Sequence, residues 1–319
     1  MATRANGELQ QVEQRDVDVT LHATNLTNPS HMEWTHDGRL LVAERTNGRL
    51  VDATEGGDFG GLSDDDDRVF AHGMEGPSSM AMLPDGRILA NECWAGRIVD
   101  ITDGGNAAEA EPFATNLAGP YSILYHDATD SVYTTVSPSS RRSRIIDVTG
   151  GGDEPDDHPV LVDDILVRDK FPGMTPRSAW PDNWEGHQID CGSWAVPVEN
   201  DVLYSVGPLG QMVRADITAE DSPTTHAEHL DAERLVARGL NRVGGSVYNR
   251  SDGLVYAAEP FNGSVVAVDP TGNRQYRFDP RVVEGLVLPT CVRFGPDNEQ
   301  MYVCGRGEGV VYKISNFRP

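Results

Sequence analysis

A phrase made of a turn followed by three short apolar runs separated by turns, an Asp-Gly turn after the first run in three of the copies, occurs six times along this chain. The copies read NPSHMEWTHDGRLLVAERTNGRLVDA (28–53), GPSSMAMLPDGRILANECWAGRIVDI (76–101), GPYSILYHDATDSVYTTVSPSSRRSRIIDV (119–148), GSWAVPVENDVLYSVGPLGQMVRADI (192–217), VGGSVYNRSDGLVYAAEPFNGSVVAVD (243–269) and LPTCVRFGPDNEQMYVCGRGEGVVYKI (288–314). Three short apolar runs separated by Gly-containing turns are the pattern of antiparallel hairpins. A fourth run follows most copies, as in DRVFAHGM, AEPFATNL, PVLVDDI and RQYRFD. Four strands repeated at this period predict an all-β chain, a six-bladed β-propeller of four-stranded antiparallel blades.

The sixth copy ends at the C-terminus with three strands, whereas VDVTLHATNL (17–26) is a fourth strand lacking its own three. The N-terminal strand is therefore expected to complete blade 6 and close the ring, which hides edges that an open array exposes. This divides the chain into a tail, 1–15, and one propeller domain, 16–319. The interval between copies is longest from Pro120 to Gly192, so 149–191 reads as an insertion between blades 3 and 4. Its Pro and Trp content, in RDKFPGMTPRSAWPDNWEGHQIDCGSW, predicts an ordered lid; a stabilising flap is the alternative.

Charge limits the partners. With 50 acidic against 26 basic residues, the net charge of −24 repels nucleic acid and anionic membrane alike. The acids are spread over every segment, as expected of a surface adapted to high salt, where screening relieves self-repulsion. There is no apolar stretch long enough to span a membrane and no export-type apolar segment at the start, so the expected location is cytoplasmic. The four cysteines, Cys93, Cys191, Cys291 and Cys304, lack metal-type spacing and are expected as free thiols. The expected partner is a small-molecule ligand or substrate; oligomeric state is not legible.

Function should collect where the inner strands begin and where the loops between second and third strands return to the same face. The residue following each inner-strand anchor is Ser30, Ser78, Tyr121, Ser193, Gly244 and Thr290. Two residues after the first anchor, His31 could face the channel as a general base, or be a structural histidine. Glu44, Glu92 and Glu259 recur at the ends of second strands, a recurrence that favours bonding to loop amides over catalysis. Arg45 and Arg306 follow on the same loop level and could hold a carboxylate or carbonyl oxygen, or pair with these glutamates. Phe261, Trp194 and the insertion's Trp180, Trp184, His187 and Asp190 complete the candidate set. Glu33 and Arg293 occupy a position where other blades carry Ala81, Leu124, Val196 and Val247. Because blades 1 and 6 are ring neighbours, the two charges are expected to pair across the closure seam.

The blade phrase Pro-x-x-x-x-apolar-x-x-D-G-x-apolar-apolar-apolar-x-E resembles the regucalcin/gluconolactonase-like six-bladed propellers and NHL-type repeats. The resemblance implies a lactone- or ester-hydrolysing enzyme with one divalent cation (Ca, Mg, Mn or Zn) on the channel axis, held by Glu, Asn and Asp from inner-strand starts. None of the six residues after the anchors is a carboxylate or Asn, so the chain does not declare its metal ligands; a shifted frame would offer Asn28, Asp190 or Asn241. The alternatives are a metal-free lyase or isomerase using His31 or His187, a quinone-dependent sugar dehydrogenase, suggested by LLVAERTNGRL, and a non-enzymatic NHL-like binding scaffold. Two weaker signals are HAEH (226–229), read as coincidence, and SDDDD (63–67), read as a solvated turn.

Overall fold

The computed structural model describes residues 17–139, 142–153, 158–166, 193–206, 210–218, 224–231, 234–272 and 281–317. Six antiparallel blades follow one another around a ring. The inner strands are Pro29–Trp34, Pro77–Met82, Ile123–His126, Ala195–Val198, Ser246–Asn249 and Pro289–Phe294, in blades 1 to 6. The outermost strand of blade 6 is Asp18–Thr24, paired antiparallel to Val310–Ser315 from Asp18↔Ser315 to Ala23↔Val311. The N-terminal strand thus closes the ring, as counting strands predicts.

The fourth strands of blades 1 to 3 are Val69–His72, Pro112–Ala114 and Val160–Leu166, the first two within the predicted runs and the third reaching one residue past its run. Blade 5 differs. Its fourth strand is Arg281–Val283, and RQYRFD lies in 273–280, outside the described residues. Blade 4 uses Leu235–Arg238, preceded by the short helix His226–Asp231, which contains HAEH.

The core is a ring of sandwiches. Each buried apolar cluster lies between two consecutive blades: Leu41, Ala43 and Leu50 of blade 1 meet Met80, Ile88 and Val99 of blade 2, and Val42 and Val51 meet Tyr302 and Val311 of blade 6. Alternate residues of a strand face opposite neighbours, which is why second strands carry unbroken apolar runs such as Leu40–Ala43, Val202–Tyr204 and Leu254–Ala258. Each fully buried Leu, Ile or Val contributes about 1.5–3 kcal/mol, so blade adhesion is the main stabilising term.

A second repeat, D-x-T, ends the third strand of five blades: Asp52/Thr54, Asp100/Thr102, Asp147/Thr149, Asp216/Thr218 and Asp269/Thr271. The aspartate accepts from the threonine hydroxyl. In blades 1 to 3 that hydroxyl in turn accepts the amide opening the second strand, at Leu40, Ile88 and Val132. A Gly-Gly turn follows and covers the neighbouring blade's outer edge. Gly57–Asp58 pairs with Ala23–Thr24, and Gly105–Asn106 with Ala71–His72. Edge pairing of this kind removes exposed ladder groups.

Candidate functional site

Two belts of hydrogen bonds tie the inner-strand starts together. In the first, the hydroxyl after an anchor donates to the next blade's anchor carbonyl: Ser30 Oγ to Pro77 O at 3.0 Å, Ser78 Oγ to Pro120 O at 3.2 Å, and Thr290 Oγ1 to Pro29 O at 3.1 Å. In the second, the following side chain accepts an amide of the next blade. Ser79 Oγ accepts from Ile123 N at 3.3 Å, Ser122 Oγ from Ala195 N at 3.4 Å, and His31 Nδ1 from Met80 N at 3.2 Å. The hydroxyls of Ser30, Ser78 and Thr290 are thereby engaged with backbone, and His31 fills a position where other blades use serine.

His31 is buried, and its other nitrogen faces Arg293 Nη2 at 2.7 Å. Arginine donates only, so whichever nitrogen accepts, the imidazole meets protein donors on both sides. Burial first, then the Arg293 charge, hold its pKa well below the ordinary histidine value. The ring is therefore neutral, but both nitrogens point at the scaffold. Arg293 Nε donates to Glu33 Oε2 at 2.8 Å, and Nη1 donates to Val292 O at 2.7 Å and Ser246 O at 3.2 Å. The predicted seam pair is present, with His31 as its third member.

The three recurring glutamates hold loops. Glu44 Oε1 accepts Thr27 N at 2.5 Å, Glu92 Oε1 accepts Glu75 N at 2.6 Å, and Glu259 Oε1 accepts Asn241 N at 2.6 Å. Their second oxygens pair with Arg49, with Arg97, and with Ser264 Oγ at 2.9 Å. All three carboxylates are buried. With both oxygens committed, they fit the loop-bonding alternative better than catalysis.

The channel itself is crossed by side chains. His31 of blade 1 and Trp194 of blade 4 stack with centroids 5.9 Å apart and planes within 9°. Blades 1 and 4 stand opposite each other in a ring of six, so this contact lies across the axis. Tyr121 of blade 3 meets Trp194 edge-on at 5.1 Å, and the Arg45 guanidinium of blade 1 lies 5.5 Å from the Tyr121 ring and 5.9 Å from Trp94. Arg45 Nη2 also donates to Cys93 Sγ at 3.5 Å. Cys93 and Trp94 are members of the site that the sequence reading passed over. Their signal was position: Cys93 follows Glu92 as Arg45 follows Glu44, and both donate their backbone amides to the residue before the anchor, Gly76 and Asn28. Gly76 is fixed by this arrangement, since a Cβ there would lie 2.4 Å from the Trp94 ring, and its φ is +67°.

Arg306 occupies the same loop level in blade 6, its amide donating to Leu288 O at 3.0 Å. In blade 5 Phe261 lies in the corresponding loop, between Leu254–Glu259 and Ser264–Val268, with the Arg242 guanidinium 5.5 Å from its ring centroid. Trp180, Trp184, His187 and Asp190 lie in 167–192, outside the described residues.

The donor set was tested against a divalent cation. Among the described residues, no group of three or more His, Cys, Asp or Glu side chains is arranged to hold one. The Asn28 and Asn241 amide nitrogens donate to Thr46 and Asn262, the Ser30, Ser78 and Thr290 hydroxyls donate to carbonyls, and the axis at this level carries His31 and Trp194; the buried oxygens without a hydrogen-bond partner, among them Asn28 Oδ1, Asn91 Oδ1 and Ser193 Oγ, are all uncharged. These residues do not fit an axial cation, which needs several oxygens, usually charged ones.

No protein-family profile and no curated protein sequence matches the chain. Solved structures do match its shape. A structural-genomics target assigned as a gluconolactonase superposes with TM-score 0.62 at 11% identity, over 94% of this chain and 92% of that one. A gluconolactonase from Xanthomonas campestris gives 0.59 at 11%, over 94% and 89%. Virginiamycin B lyase from Staphylococcus aureus gives 0.51 at 10%, over 94% and 98%. At such identities the shared property is the backbone architecture: the chain has the six-bladed fold seen in gluconolactonase-like propellers.

Proposed function

We propose that the chain is a small-molecule enzyme that opens a lactone or ester at the channel mouth. The observation that carries this reading is Arg45, buried on the loop face and flanked by the rings of Trp94 and Tyr121. A guanidinium in a water-poor setting stabilises negative charge as it develops on a carbonyl oxygen, and counts for far more there than in water. Water adds to the acyl carbon, the acyl–oxygen bond breaks, and the departing oxygen takes up the proton that water releases. His31 is poorly placed to relay that proton because both its nitrogens face donors; His187 is the remaining histidine candidate from the sequence. The fold shared with gluconolactonases supports the reading at the level of architecture.

The test is a lactone and ester panel followed by acid release, with Arg45→Met and Arg45→Lys variants. Losing one oxyanion-stabilising donor lowers kcat by roughly 10²–10³-fold. Turnover unchanged in Arg45→Met removes the assignment. A second reading, a binding scaffold, is favoured by the scaffold contacts that occupy Glu44, Glu92, Glu259, Ser30, Ser78 and Thr290. It predicts ligand binding with no turnover anywhere on the panel.

A further inference from the structure

We propose that the short helix His226–Asp231 is an acid-sensitive clasp: proton uptake by His229 and His226 releases segment 224–231 from the outer edge of blade 3. The device is separate from the channel mouth and does not depend on the proposed reaction.

Other outer edges are covered by glycine turns. Gly57–Asp58 lies along blade 6, Gly105–Asn106 along blade 1, and Gly152 bridges to Ala114 of blade 2. Blade 3 is covered otherwise. Thr225 bridges to Asp163, whose amide donates to Thr224 O at 2.6 Å. The helix that follows packs against Val160–Leu166 of blade 3 and Gln211–Asp216 of blade 4. Six residues are too few for a helix to hold by itself, so this cover depends on the side chains beneath it.

Two of those are histidines three residues apart, on one helix face. Both rings lie edge-on to Tyr204, with centroids 5.8 and 5.9 Å from its own. His226 Nδ1 and Tyr204 OH are 3.0 Å apart, while His226 Nε2 and both ring nitrogens of His229 are buried without a hydrogen-bond partner. Charges surround the pair on three sides. The helix supplies Glu228, whose carboxylate accepts the Thr224 and Thr225 amides. Blade 3 supplies Asp163 and Asp164, paired with Arg144 and Arg142, and blade 4 supplies Asp201 and Asp216, paired with Arg214 and Arg234. Each of these carboxylates is thus engaged elsewhere. Arg234 and His226 oppose a proton on His229 more strongly than Glu228 favours it, and at His226 burial outweighs the attraction of Asp164.

A buried imidazolium with no acceptor is costly. The rings stay neutral while the helix is seated and take up their protons once it swings into water. Seated, His229 titrates at about 4, against an ordinary 6.5. The clasp is therefore fully closed above pH 6.5, and its opening constant rises as pH falls, by roughly a hundredfold at pH 4 from His229 alone. Release bares ladder groups along Val160–Leu166, where Val160 is already exposed.

The experiment is hydrogen exchange with mass spectrometry on the full chain in concentrated KCl, from about pH 7.5 to about pH 4, each rate divided by the intrinsic rate at that pH. Wild type is compared with His229→Leu, and residues 40–52 of blade 1 serve as the internal reference. Expected is protection of 160–166 and 224–231 that falls roughly a hundredfold over this range while 40–52 is unchanged, and a fall about tenfold smaller in His229→Leu. Equal falls in all three segments would mean general acid unfolding, and an undiminished fall in His229→Leu would mean that another group drives the opening. Either result overturns the clasp, as does protection that ignores pH. Should His229→Leu not fold, deuterium exchange at the His229 ring C2 of wild type decides. A midpoint near that of an exposed histidine, about 6.5, overturns the proposal, and one displaced well to acid supports it.

Discussion

Replacing Arg293 with leucine tests the closure seam where the sequence and the structure agree most specifically. The substitution removes donors to Glu33 Oε2, Ser246 O and Val292 O and strands the Glu33 carboxylate, whose side chain is 23% exposed. Removing one partner of a buried pair costs about 3–5 kcal/mol, and the partial exposure of Glu33 places this case toward the lower end. An unfolding entropy of about 2.1 cal/mol/K per residue, over a chain of 319 residues, converts that into a fall in Tm of roughly 4–7 °C. Replacing both residues, as Glu33→Leu/Arg293→Leu, matches the apolar residues at this position in blades 3 to 5 and removes the stranded charge. The double variant should therefore recover at least about 1.5 kcal/mol relative to the sum of the singles. Urea titrations of the four proteins give this coupling. It should persist in 1 M KCl, because a buried pair is screened much less than a surface pair. A coupling below about 0.5 kcal/mol, or one abolished by salt, would mean that Glu33 and Arg293 do not act as a buried pair.

Three further outcomes are expected. Glu44→Gln should destabilise by about 3 kcal/mol, since it leaves the buried Arg49 without its anion, while leaving KM unaltered; a fall in kcat with unchanged stability would make Glu44 catalytic instead. His229, with no exposed surface and a pKa pulled down to about 4 by burial, then Arg234 and His226, binds its proton less readily folded than unfolded. Its contribution is complete above pH 6.5 and is lost as pH falls toward 4, by at most about 3 kcal/mol. In His229→Leu, urea midpoints should fall less steeply across that window; an unchanged slope contradicts the assignment. Gly76→Ala should displace Trp94 and weaken ligand binding along with stability, and unaltered binding would detach Trp94 from the site.

The propeller was legible because its repeat is local: each blade writes its own turns and apolar runs, and ring closure follows from a fourth strand left over at the start. The Glu33–Arg293 pair was legible for the same reason, as two charges standing where the other copies are apolar. The D-x-T clasp was equally local, in five copies, but it falls between strand patterns and passed unread. The glutamates' roles were visible as a recurrence, and only the fold shows which amides they accept. The cross-channel contact of His31 with Trp194 has no sequence signature at all. It joins blades on opposite sides of the ring, and no periodicity relates their side chains. In blade 5 the run RQYRFD lies outside the described residues, and the segment seen to pair with the third strand, Arg281–Val283, is only three residues long and carries no alternation to read.

Side chains, His31 and Trp194, meet on the channel axis at the level where the resemblance to gluconolactonase-like propellers leads one to expect a cation. Elemental analysis of the purified chain, joined to its Tm with and without added Ca, Mg, Mn or Zn, tests this most directly. Well below one divalent ion per chain and no gain in Tm are expected. About one tightly held ion per chain, with the stabilisation of about 2.7 kcal/mol that a ligand at a hundred times its Kd confers, would contradict it.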